Sequence, residues 1–347
     1  MKNQVKTYKH DLPVQLELGG VLSNIEIAYH TYGSLNAERN NVVWVCHALT
    51  ANSDPADWWP GLVGKGKLFD PDRHFIVCAN MLGSCYGTTG PGSVNPETGE
   101  PWFTRFPQIT LRDMVAAHEV LKDHLGISEI HTLIGGSMGG QQALEWAIIN
   151  PGLIQNLIVL ATNSKISPWA VAFNHSQRLA IEADPTFFHS RINGGAAGLK
   201  AARSIALLSY RNGQTYNNTQ SEIDDQKTKG HRAASYQDYQ GEKLVKCFSA
   251  HSYYQITEAM DTHNVGRNRK SVENALQQIS AKTLSIGITS DILFPPEDLK
   301  FINQHVKNGQ YVEIDSPYGH DGFLIESEQI TKVIQQFYEN NKYEKAA

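Results

Sequence analysis

Four cysteines among 347 residues leave little room for a disulfide framework, and none of them forms a CxxC pair. Cys46 and Cys78 sit inside apolar runs, where a thiol behaves as a small hydrophobe. This usage favours a reducing compartment, so the expected location is the cytoplasm. No run approaches the roughly eighteen apolar residues that cross a bilayer. The opening MKNQVKTYKHDLPVQLELGG lacks the apolar stretch of a secretory signal. Basic excess is also missing: a net charge of -5 supplies no electrostatic footprint for nucleic acid or an anionic membrane. There is no internal repeat and no low-complexity linker.

What the chain has is buried-strand pattern. Short Val- and Ile-rich runs at residues 42–49, 74–82, 130–136, 153–162 and 283–288 are bounded by turns, and a more polar one spans 310–315. Helical periodicity fills gaps at 109–125 and 138–149. Such alternation predicts right-handed crossovers and a mostly parallel sheet with helices on both faces. Ahead of it, VQLELGG and IEIAYHTYG alternate with period two, as an antiparallel sheet edge would. The alternation lapses between about 166 and 277, where apolar spacing is helical. The predicted organisation is an α/β core from 1–165 and 278–347, interrupted by a helical lid insertion at 166–277. Within that insertion the polar stretch 212–243, with charges of both signs, reads as an exposed loop.

The chemistry-bearing motif is GGSMGG at 135–140, following strand IHTLI and opening a helix. G-x-S-x-G between strand and helix is a nucleophile elbow, which lifts Ser137 above the carboxyl ends of the strands. The helix N-terminus behind it points amides and positive dipole at an oxyanion. A serine hydroxyl needs a histidine to take its proton and a carboxylate to orient that histidine. In this architecture they follow in the order Ser, Asp or Glu, His. Asp291 lies just past strand TLSIGI, and His320 just past QYVEID. Asp298 and Asp315 are rivals for the carboxylate, His263 and His305 for the base. The oxyanion donors expected are the amides of Met138 and Leu49, the latter in the loop after the 42–49 strand. These residues alone admit an esterase, lipase, peptidase, thioesterase or acyltransferase.

Longer phrases narrow the choice. AYHTYGSLN, CHALT, ANMLGSCYGTTGP, FPQITLRDMV, GGSMGGQQALEWA, AARSIALLSYR, TSDILFPP and YGHDGFL closely resemble the homoserine O-acetyltransferase family, in order, from about residue 25 to 325. The resemblance implies an α/β-hydrolase fold and transfer of acetyl from acetyl-CoA to L-homoserine through an acetyl-serine, in methionine biosynthesis. It implies no metal and no cofactor beyond acetyl-CoA as co-substrate, and a homodimer formed through the insertion. Arg203 and Tyr210 match family positions at the acceptor's carboxylate, and Asp321 the position at its amino group. A planar guanidinium suits a carboxylate. Related chemistry on the same scaffold would use succinyl-CoA, serine as acceptor, or water. After Tyr210 the family often carries a longer stretch with Phe and Arg; here it is NGQTYNNTQSEIDDQKTKGHR.

Overall fold

The computed structural model describes residues 4–189 and 191–343. Among the described residues ten strands form: β1 Lys6–His10, β2 Val14–Gln15, β3 Val21–Leu22, β4 Ile25–Tyr32, β5 Val42–Cys46, β6 Phe75–Ala79, β7 Ile130–Gly136, β8 Ile154–Leu160, β9 Lys282–Ile288 and β10 Gly309–Ile314. Eight of them make one sheet in the order β1-β4-β6-β5-β7-β8-β9-β10. From β6 to β10 every pairing is parallel, while β4 runs antiparallel to both β1 and β6.

The helices are α1 Pro55–Trp58, α2 Leu111–His124, α3 Met138–Ile149, α4 Pro168–Glu182, α5 Ala196–Tyr210, α6 Gly213–Gln220, α7 Arg232–Val245, α8 Ala250–Asp261, α9 Val272–Leu276, α10 Pro296–His305, α11 Gly322–Ile325 and α12 Ser327–Tyr343. Helices α4 to α9 all lie between the adjacent strands β8 and β9.

Burial on both faces explains the uninterrupted apolar strands. Along β5, Val42, Trp44 and Cys46 face one core with α2 and α3, while Val43 and Val45 face another with Trp59 and α12. Each such side chain contributes about 1.5–3 kcal/mol on burial. Helix α3 is buried from Met138 to Ile148, its polar Gln141, Gln142 and Glu145 included. Helix α2 starts with a capping box: Thr110 Oγ1 accepts from the Asp113 amide, and Asp113 Oδ2 accepts from the Thr110 amide at 2.8 Å.

Two expectations need correcting. The antiparallel edge is β1, a half-exposed KTYKH segment, and not VQLELGG, of which only Val14–Gln15 is a strand, paired with β3 in a separate sheet. The polar stretch 212–243 is largely helical. Asn212 caps α6 by accepting from the Gln214 and Thr215 amides, and α7 buries Gly241 and Leu244, the glycine directly against Lys200 of α5. One thin apolar stripe suffices to order a helix that is otherwise polar.

A buried ion network ties the front of the core together. Arg112 of α2 pairs with Glu17 at 2.7 Å and with Glu145 of α3 at 3.3 Å. Arg269 reaches Glu145 at 2.7 Å and Arg267 reaches Glu17 at 2.7 Å. Glu145, its side chain 2% exposed, answers two guanidinium groups. Replacing it strands Arg269 and leaves Arg112 paired with Glu17 alone. We expect Glu145→Ala to lower the unfolding free energy by about 3–5 kcal/mol, read as the shift in a urea transition; an unmoved midpoint contradicts this.

Candidate active site

Strand β7 ends at Gly136 and α3 begins at Met138, so Ser137 alone turns the chain. It does so at φ 57° and ψ -129°, a conformation unfavourable for a side-chain-bearing residue. Backbone contacts hold it there. The Ser137 amide donates to Leu160 O at 2.9 Å, and its carbonyl accepts from Thr162 Oγ1 at 2.8 Å. A Cβ on Gly135 would fall 2.2 Å from Gly139 O, and one on Gly139 2.1 Å from Cys46 O. Three backbone segments therefore meet where only glycine fits.

The loops after β9 and β10 bring the remaining groups to this turn. His320 Nε2 lies 2.8 Å from Ser137 Oγ, and His320 Nδ1 lies 2.7 Å from Asp291 Oδ2. The carboxylate accepts from Nδ1–H, which leaves the Nε2 lone pair to accept from the serine hydroxyl. Asp291 is fixed in turn, its Oδ1 accepting from the Leu293 and Phe294 amides at 2.8 and 3.0 Å. Ser137, Asp291 and His320 are 7%, 3% and 3% exposed, so the relay is shielded from water except at the serine. Burial pushes the imidazole down, but the Asp291 charge, its hydrogen bond and the Asp321 charge outweigh that and raise it above 6.5.

The rival residues stand elsewhere. His263 bonds Asn163 O through Nε2 and is pushed down to about 4, first by burial. His305 caps its own helix on Phe301 O. Asp315 is exposed and accepts from Thr289. Asp298, in the first turn of α10, has a buried Oδ2 without a partner and is pushed up to about 7 by burial and then by the Asp291 charge.

Met138 opens α3, where an amide has no carbonyl four residues back to bond. Leu49 sits in the tight turn after β5, closed by the Ala51 amide on Ala48 O. His47, a residue the sequence reading passed over within CHALT, braces that turn. Its Nδ1 bonds Ala48 O at 2.9 Å and its Nε2 accepts from the Met81 amide at 3.0 Å. Burial pushes it down to about 4, which keeps it neutral in that double role. Gln142 reaches both His47 O and Met138 O at 3.3 Å, linking the two loops.

On the side toward α5, the Arg203 guanidinium lies 5.6 Å from the centre of the Tyr210 ring, and that ring lies 5.7 Å from His320's. Among the described residues no carboxylate pairs with Arg203. Asp321, adjacent to His320, is already paired: Arg211 Nη1 is 2.5 Å from its Oδ2. Arg211, the last residue of AARSIALLSYR, is not legible as a site residue in the sequence, because an arginine after a helix end carries no signal of its own. No cluster of three metal-ligating side chains occurs among the described residues.

Residues 41–327 match the family described as the alpha/beta hydrolase fold. A homoserine O-acetyltransferase of Cyclobacterium marinum is 47% identical over 94% of this chain and 93% of its own. One from Moorella thermoacetica is 43% identical over 98% and 97%. Among solved structures, a homoserine O-acetyltransferase from Bacillus anthracis superposes with a TM-score of 0.88 at 25% identity, over 96% of this chain and 97% of the other. The esterase E22 superposes at 0.87 with 23% identity, over 96% and 100%, a likeness of fold.

As a nucleophile Ser137 would need a neutral His320, and a raised imidazole loses that form as pH falls through a value above 6.5. We expect the rate of Ser137 labelling by a fluorophosphonate to drop below that point. In Asp291→Asn the carboxylate's upward pull is gone, so the imidazole titrates lower while labelling falls by on the order of 10⁴. An unchanged profile in the variant contradicts the assignment. Gly139→Ala, colliding with Cys46 O, should cost about 1–3 kcal/mol by urea unfolding.

Proposed function

As the chain belongs to the homoserine O-acetyltransferase family of the α/β hydrolases, we propose that it moves the acetyl group of acetyl-CoA to the hydroxyl of L-homoserine through an acetyl-Ser137 intermediate. The observation that carries this reading is the relay Ser137–His320–Asp291, at 2.8 and 2.7 Å, beside an unpaired Arg203.

In the first half, Ser137 Oγ attacks the thioester carbonyl while His320 Nε2 takes its proton. The oxyanion rests against the amides of Met138 and Leu49. The C–S bond breaks, and the departing thiolate receives the proton from His320. In the second half, His320 takes the proton of the homoserine hydroxyl as its oxygen attacks the acetyl carbon. Ser137 then leaves and regains a proton from His320. Asp291 stabilises the imidazolium in both halves. Arg203 presents its planar fork to the acceptor's carboxylate with Tyr210 alongside, and Asp321 offers negative charge to its ammonium. The route needs neither metal nor prosthetic group.

We place the reaction in the cytoplasm, the compartment that the unpaired cysteines favour. The helices α4–α9 serve as a lid between residues 166 and 277 and as the face of a homodimer. Large exposed apolar side chains there, among them Trp169, Leu179 and Leu208 at 54%, 51% and 55%, support such a face.

The test is mass spectrometry of the protein after acetyl-CoA alone. We expect an acetyl adduct on Ser137 that homoserine discharges to O-acetylhomoserine, and no adduct in Ser137→Ala. Faster discharge by serine, a preference for succinyl-CoA, or discharge by water at the same rate would each replace the reading with the corresponding alternative. Arg203→Ala should raise the homoserine KM by about tenfold or more, as loss of a charge-assisted bond does.

A further inference from the structure

Asp321 stands where the histidine loop meets the helices inserted between β8 and β9. Gly319, two residues before it, adopts φ +65°, and a Cβ there would fall 2.8 Å from both Tyr210 O and the Asn212 amide. The His320 loop therefore lies directly on the C-terminal end of α5. Thr215 of α6 donates to Pro317 O at 2.5 Å, a second point of contact. Arg211 closes the junction. Its Nη1 lies 2.5 Å from Asp321 Oδ2 and its Nη2 donates to the Tyr236 hydroxyl of α7 at 3.0 Å. Asp321 Oδ1 has no hydrogen-bond partner among the described residues.

We infer that Arg211 is a positioning residue for the amino-acid acceptor: it clamps one oxygen of Asp321 and leaves the other for an ammonium. The inference rests on the homoserine-transfer reading and assigns a residue to it. A carboxylate that is to bind a cation must itself be ionised. Burial pushes Asp321 up, and the charges facing it are Arg211, His320 and Arg203 pulling down, with Asp291 pushing up. Arg211 is the foremost of the opposing charges and the one in contact. The bond to Tyr236 holds the other end of the guanidinium against α7. The acceptor subsite is thus built half from the loop carrying His320 and half from the end of α5.

Arg211→Gln keeps hydrogen-bonding capacity and removes the charge; Arg211→Lys keeps the charge and loses the fork. Initial rates with acetyl-CoA and homoserine over a pH series, together with the single-turnover rate of Ser137 acetylation, separate the possible roles. We expect Arg211→Gln to raise the acceptor KM by about tenfold, with a smaller effect on acetylation. The rise should steepen toward low pH, because Asp321 without its guanidinium takes up a proton at a higher pH. Arg211→Lys should restore the pH profile and part of the KM. Equal losses in acetylation and acceptor transfer would show a merely structural residue and overturn the inference. So would an unchanged KM and pH profile in Arg211→Gln when the wild type responds to homoserine. A wild type indifferent to homoserine overturns the transfer reading and this inference with it.

Discussion

Three stretches of backbone meet at the turn after β7 with no side chains between them, and the rest of the site is referenced to that contact. Gly135 and Gly139 let β7, α3 and the end of β5 approach to distances that a methyl group forbids. Ser137 can then hold its unfavourable backbone angles, because its amide and carbonyl are both committed to β8 and the loop after it. The same contact seats the start of α3 against the end of β5, since Gly139 abuts Cys46 O just before the Leu49 turn. His47 and Gln142 stiffen that arrangement with uncharged hydrogen bonds. Burial favours this choice, because a charged imidazole at position 47 would have to be desolvated.

Around this rigid turn the charges are arranged in opposition. Asp291 and Asp321 flank His320 and together hold its proton affinity up against burial. Two arginines face the second of these carboxylates: Arg211, just past the end of α5, in contact, and Arg203, midway along α5, farther off, over the Tyr210 ring. One guanidinium is spoken for and the other is not. In the proposed transfer, the carboxylate and ammonium of a zwitterionic acceptor complement that asymmetry.

Much of this was readable before any coordinates. Residue order after strand ends singles out Asp291 and His320 over Asp298 and His263, and these two do meet Ser137, because a parallel sheet puts every such loop at the same edge. The buried strands were legible from their Val and Ile, since both faces are covered. The misses share a physical cause: they concern segments whose burial is partial. The edge strand Lys6–His10 is half-exposed and polar, so its sequence lacks contrast. Helices α6 and α7 are held by a cap and by Gly241 and Leu244, too little to show as a periodic apolar stripe. Arg211 was hidden because its partner lies in a distant loop.

The order of elements along the chain also sets an order in time. Strands β8 and β9 are neighbours in the sheet, yet all of α4–α9 is synthesised between them. A nascent chain emerging from the ribosome exposes Ser137 long before Asp291 and His320 exist. Ser137 therefore leaves the exit tunnel without the histidine and carboxylate that it meets in the folded chain. The three come together only when β9 and β10 join the sheet beyond β8, a closure of high contact order.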